Sequence, residues 1–187
     1  MTSQMMQHAQ LLAAFALRAP GREISYDLAG HLGYLADRLS LERHNFPIVR
    51  DRRVAVMGMA VDCGVMRTVF DGFNPVVCDQ PMFSEVGPLS CRLSDHIQQD
   101  DLDLHSISDT KIIDEICGKY LGKGMEVVSS AMTDRETFPE ITDEGFGQDI
   151  SIEDILRGIG VDQAEEVAKE IEAHDRLDLV FSIMEKS

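Results

Sequence analysis

A mainly α-helical fold, one compact domain of several helices interrupted by a long proline-containing irregular segment, is what the sequence predicts. Three observations carry it. Apolar residues recur at helical spacing near both ends, capping residues stand before several of those runs, and Pro75, Pro81 and Pro88 gather in the middle. The alternative is an α+β fold with a small sheet drawn from residues 53–93, because one apolar stretch there does not declare its period.

Residues 3–18 are strong helix formers ended by Ala19-Pro20-Gly21. Ile24, Leu28, Leu32, Leu35 and Leu39 then line one face of a helix running to about His44, with Asp27, Asp37, Arg38, Glu42 and Arg43 mostly outside that stripe and so expected in solvent. Pro47 breaks the chain. Residues 48–73 are ambiguous. Val54–Val61 reads as a buried strand or as part of a central helix, and helix is favoured because Met and Ala are common and no second strand is evident nearby.

Residues 74–108 carry Gly87 as well as the three prolines, with short extended pieces expected at 76–78 and 89–93. A loop of this length is a candidate interdomain connection or binding flap. Asp109 caps the next expected helix, whose Ile112, Ile113, Ile116, Cys117, Tyr120 and Leu121 form an apolar stripe stopped by Gly122 and Gly124. A short helix over 125–132 follows, and Thr133 with Glu136 matches a capping box. Asp143–Gly147 reads as a polar turn. Ser151 with Asp154 starts a further helix that stops at Gly158 or Gly160, and the last helix carries Ala164, Val167, Ala168 and Ile171, with a bend expected at His174-Asp175 before Leu177, Val180, Phe181 and Met184. The organisation expected is a single domain over 1–187, divisible into a near-neutral helical part (1–73), an irregular connection (74–108) and an acidic helical part (109–187).

The charge is informative. Seventeen Lys and Arg against 33 Asp and Glu give −16. Residues 1–53 hold seven basic and five acidic residues, whereas residues 54–187 hold ten basic and 28 acidic, a net of −18. Such a surface repels phosphate backbones and headgroups, which argues against direct nucleic-acid or membrane adhesion, and it steers encounters with a basic partner. Cys63, Cys78, Cys91 and Cys117 form no CxxC pair, no basic-then-apolar leader follows Met1, and no apolar run approaches the roughly 18 residues of a membrane span, so a cytoplasmic protein with reduced thiols is expected.

Leu156-Arg157-Gly158-Ile159-Gly160, with Ala164 four residues beyond the second glycine, resembles the helix-hairpin-helix motif over residues 152–171; no whole-chain family is recognised. The resemblance implies two helices joined by a tight glycine turn whose backbone N–H groups hold a DNA phosphate. Val161, Asp162 and Gln163 stand where that family often has a basic residue, and residues 152–171 net −4, so a structural hairpin is the expectation.

Other chemistries fail on spacing. Aligning Asp101, Asp103 and His105 with a calcium loop puts Ser106 at the glycine position and Ile112 at the bidentate glutamate. Cys91, Asp95, His96, His105 and Cys117 lack the paired spacing of zinc ligands, and Gly58 and Gly64 fit neither phosphate-loop pattern. No metal, cofactor or catalytic residue is therefore assigned.

The expected function is a small acidic interaction or regulatory protein, non-catalytic, that binds a basic protein partner; self-association is left open. The candidate partner-binding acids are Asp100, Asp101, Asp103, Glu153, Asp154, Asp162, Glu165 and Glu166. Arg50, Arg52 and Arg53 are the candidate contact for an anion or an acidic partner. Two alternatives stand beside this: a nucleic-acid mimic or inhibitor of a DNA- or RNA-handling protein, and an enzyme with an unrecognised site around residues 74–108.

Overall fold

The computed structural model describes residues 3–70, 74–77, 79–103, 105–142 and 147–184. Its architecture corrects the mainly-α expectation. Among the described residues, seven helices (54%) and three small antiparallel sheets (17%) make an α+β mixture.

The correction begins at residues 53–62. Arg53–Val56 is a strand (labelled β2; β1 follows below), Met59–Asp62 is β3, and Met57 and Gly58 between them take left-handed backbone at φ 53° and 76°. Both turn residues at positive φ match the twist of an antiparallel hairpin. The register is Arg53↔Asp62, Val54↔Val61, Ala55↔Ala60 and Val56↔Met59. The partner strand missing from the sequence reading is thus inside the same apolar run. A second partner, β8 (Gln148–Ile150), arrives from far along the chain and flanks the other side of β2. Of the described residues of this stretch, Cys63–Phe70 are the helical ones, as α3.

The second sheet is equally non-local. Glu23–Ser25, which the sequence assigns to the start of the second helix, is strand β1, paired with β7 (Ser90–Leu93), which in turn pairs with β6 (Phe83–Gly87). β4 (Val76–Val77) and β5 (Gln80–Pro81) add a two-stranded ribbon, so the expected irregular connection is largely built structure. Cys78 lies outside the described residues.

The helices follow the sequence signals more closely. α1 spans Ser3–Arg18 and α2 spans Tyr26–His44, the latter capped by Ser25 Oγ accepting from Leu28 N at 3.3 Å. α2 packs against α1, α3, α4 (Ile107–Tyr120), α6 (Ile152–Gly158), β1 and β3, which makes it the axis of the molecule. Gly30 and Gly33 permit that approach: a Cβ at Gly30 would lie 2.8 Å from Val61 Cγ1, and one at Gly33 3.1 Å from Asp62 Cβ. Leu11, Leu12 and Phe15 of α1, Leu32 and Tyr34 of α2, and Ile112 and Ile113 of α4 are fully buried in one core, where Leu- and Ile-sized side chains each contribute roughly 1.5–3 kcal/mol by leaving water.

Asp109 does not cap α4 itself. Ser106 is the N-cap, its Oγ accepting from Asp109 N at 3.1 Å while Asp109 Oδ2 accepts from Ser106 N at 2.7 Å. α5 is Met125–Met132, and Thr133 closes it rather than opening another helix. Ser151 and Asp154 cap α6 as expected. α7 runs from Ala164 to Met184 as one helix through His174-Asp175, in place of the expected bend. Positions 143–146 of the expected polar turn, and the side chains of Val180, Phe181 and Met184, lie outside the described residues.

Candidate functional site

Charged residues of this chain occupy two kinds of place, and the first is a seam beneath α2. Asp37, expected in solvent, is fully buried. Its Oδ1 accepts from Ile48 N at 2.9 Å and Val49 N at 3.0 Å, and its Oδ2 accepts from Arg53 Nε at 3.1 Å. Arg53, 3% exposed, also donates to the Val49 and Asp51 carbonyls. Across the hairpin from Arg53, Asp62 is fully buried; its Oδ1 accepts from Gly64 N at 2.7 Å and Val65 N at 3.2 Å, starting α3, while Oδ2 has no hydrogen-bond partner. Arg53 thus pairs with Asp37 and acts on Asp62 only through its nearby charge.

Burial pushes both carboxyls up to about 6, with Arg53 opposing the rise for each. Asp37 has both oxygens satisfied, whereas Asp62 keeps an unpartnered oxygen that can carry a proton. His8 closes the seam from α1: its Nε2 lies 3.5 Å from Asp51 Oδ2, and burial holds its pKa below the usual value against the pull of Asp51. This seam is sealed from solvent. Its geometry suits holding α1, α2 and the β2–β3 hairpin in register.

The second place is the α6–α7 hairpin. α6 ends at Gly158, Gly160 takes φ +83° in the turn, and Ala164 opens α7, which packs back against α6. Glu153 pairs with Arg157 and Glu165 with Lys169, each four residues apart, while Asp154 Oδ2 accepts from Ser151 N and Oγ. Glu153, Asp154, Glu165 and Glu166 occupy first helical turns, where negative charge opposes the helix dipole. Asp162, Glu165 and Glu166 are exposed.

The other candidate residues are dispersed. Asp100 and Asp101 lie in a 3-10 turn before α4, where Asp101 Oδ2 accepts from Gln98 N at 2.7 Å; Asp103 Oδ1 accepts from Gln10 Nε2 of α1 at 2.9 Å. The three arginines do not converge. Arg50 lies over the Phe46 ring, Arg52 pairs with Asp149 on the surface, and Arg53 is in the seam. No group of three or more metal-ligating side chains occurs among the described residues. No described helix is long and apolar enough to cross a membrane.

Two depressions lie among the described residues. One, of about 280 Å³, lies on the sheet of β6 and β7 and is lined by residues that include Ser84, Arg92, Ser94, Asp95 and His96. There the Ser94 hydroxyl donates to the Pro81 carbonyl at 2.7 Å and Ser84 to that of Arg92 at 3.5 Å, and Arg92 pairs with Asp95. The other, of about 320 Å³, lies beside the hairpin, between Glu140, Thr142, Asp149, Asp154, Arg157 and Gly158. Glu140 has a fully buried side chain whose Oε1 accepts from Tyr34 Oη and from Arg38 Nε at 2.6 Å; its Oε2 has no partner. A Cβ at Gly158 would lie 2.3 Å from that oxygen, which gives the glycine a structural reason independent of any phosphate.

Sequence reasoning missed His8, Asp37, Asp62 and Glu140. Asp62-Cys63-Gly64 was legible as an Asx cap starting a helix straight after a strand; the others are brought together only by tertiary contact. No family model, no curated protein and no solved structure matches this chain.

Proposed function

We propose that the protein is a small acidic, non-catalytic interaction or regulatory protein that acts in the cytoplasm by binding a basic protein partner. The observation that supports this best is the α6–α7 hairpin. Its two basic side chains before residue 172, Arg157 and Lys169, are engaged by Glu153 and Glu165, while Asp162, Glu166 and Glu170 remain exposed beside them. These hairpin acids face outward, where they would steer a cationic partner. The test is capture from the native host at low and high salt, with wild type beside Glu165→Lys and Glu166→Lys. The expected result is a basic protein released by salt and lost with the reversals. Capture that ignores both salt and charge reversal rejects the reading, and release by added DNA favours a nucleic-acid mimic.

A second reading is an enzyme with its site around residues 74–108. It draws on the 280 Å³ depression, where Arg92, Asp95 and His96 share one wall. Against it, both serine hydroxyls there are spent on backbone carbonyls. An activity abolished by His96→Ala in a folded variant would favour it.

A further inference from the structure

We infer that the depression beside Gly158 is a socket for an arginine side chain of the partner, an assignment that rests on the interaction reading above. Three carboxylates border it, Asp149 on β8, Asp154 on α6 and Glu140 beneath, against one cation, Arg157, which is already engaged by Glu153. Glu140 supplies the independent sign of a ligand. Its side chain is fully buried, its Oε1 is held by Tyr34 and Arg38, and its Oε2 is unpartnered and directed at Gly158 in the socket wall. Arg38 meets the charge at Oε1, while Oε2 keeps a buried acceptor that no donor of this chain satisfies.

The shape selects among cations. Among the described residues no three carboxylates converge as metal ligands, and about 320 Å³ far exceeds the room a bare ion needs. Acceptors spread around a rim match a planar, five-donor guanidinium better than a compact ammonium. The chain's own arginines already treat two of these carboxylates in that way, Arg38 on Glu140 and Arg52 on Asp149. Thr142 and Gln148, hydrogen-bonded to each other at the edge, add neutral oxygen acceptors.

The test titrates a labelled hexa-arginine peptide into the full chain at low salt by fluorescence anisotropy, with hexa-lysine as comparison. Asp149→Lys reverses the rim, and Thr142→Arg places a guanidinium of the chain itself in the socket. Asp100→Lys makes the same charge change as Asp149→Lys but in the turn before α4. Each socket variant is expected to weaken hexa-arginine binding about tenfold, the loss of one charge-assisted contact, with Asp100→Lys costing less than about twofold. Hexa-lysine is expected to bind more weakly than hexa-arginine. Equal weakening by Asp100→Lys and Asp149→Lys, or equal affinity for the two peptides, overturns the socket while leaving the interaction reading standing. Absence of peptide binding also overturns the socket; the interaction reading is decided separately by the salt-dependent capture. Should Thr142→Arg fail to fold, Asp149→Lys, on an exposed side chain, decides the matter.

Discussion

The seam beneath α2 and the hairpin of α6 and α7 use the same chemical group, a carboxylate, for opposite ends. In the seam, Asp37 and Asp62 are fully buried, and the one guanidinium near them is bonded to Asp37. On the hairpin, Glu165 and Glu166 lie in solvent in a first helical turn, where Glu165 pairs with a cation four residues on. Burial decides the difference. A charge in the interior fixes one arrangement of the elements that satisfy it, at a desolvation cost; a charge outside costs little and remains available to another molecule. The comparison predicts large stability effects and no binding effect from the seam, and the reverse from the hairpin.

The largest expected effect is from Arg53→Met. Removing the cation leaves Asp37 and Asp62 buried near one another with only backbone N–H donors, for a loss of about 3–5 kcal/mol. Urea unfolding measures it. A loss below about 1 kcal/mol would show that the seam relaxes to admit water, and that it is not the sealed counterpart of the hairpin.

Next comes pH. Asp37 and Asp62 hold their surplus proton up to about 6, against an ordinary 3.8 when unfolded. The folded state binds more protons than the unfolded one between about pH 4 and 6, so these groups make stability fall as pH rises through that window. His8 acts in the opposite sense: its folded pKa lies below 6.5, so its contribution is present above 6.5 and is lost as pH falls. Asp62→Asn keeps an oxygen for Gly64 N and Val65 N and removes the surplus charge. Its stability relative to wild type is expected to rise by on the order of 2 kcal/mol from about pH 4 to about pH 7. A difference that stays constant across that range would place the proton elsewhere.

Smaller still is the cap. Ser106→Ala on α4 and Ser151→Ala on α6 each remove an Oγ that accepts from the third helical N–H, at 3.1 and 3.0 Å, for about 1 kcal/mol apiece. Thermal unfolding should rank them together. A Ser151 loss much the larger would mean that the hairpin depends on its cap while α4 is held by Ile112, Ile113 and Ile116 in the core.

What the sequence made legible divides along the same line. Helices with a local signal were readable: the α1 formers, the Ser151–Asp154 box, and the glycine hairpin at 158–160. Features that need a distant partner were not. β8 pairs with β2 across more than 90 residues, and β1 finds β7 across nearly 70, so neither leaves a mark in its own neighbourhood. Met57-Gly58 was the exception, a two-residue turn inside a symmetric apolar run that helix-forming Met and Ala disguised. Asp37 reads as a surface residue of α2 because only the packed hairpin reveals Arg53 opposite it. The socket suffers doubly, since Glu140 is oriented by Tyr34 and Arg38, over 100 residues earlier in the chain.

The smallest stability effect sharpens the comparison most. Glu166→Gln removes one charge from the exposed first turn of α7. Its amide keeps the shape and most of the helix propensity, and solvent already screens the carboxylate, so the thermal midpoint is expected not to move measurably. Association with a basic partner should respond differently. Loss of a steering charge lowers the association rate at low ionic strength, leaves the dissociation rate nearly unchanged, and loses its influence as salt is added. Stopped-flow binding against the captured partner separates these. A slower on-rate that converges with wild type at high salt assigns the hairpin's acids to steering. An altered off-rate with an unchanged on-rate would instead put Glu166 inside a desolvated contact, making the hairpin an interface buried like the seam once its partner is in place.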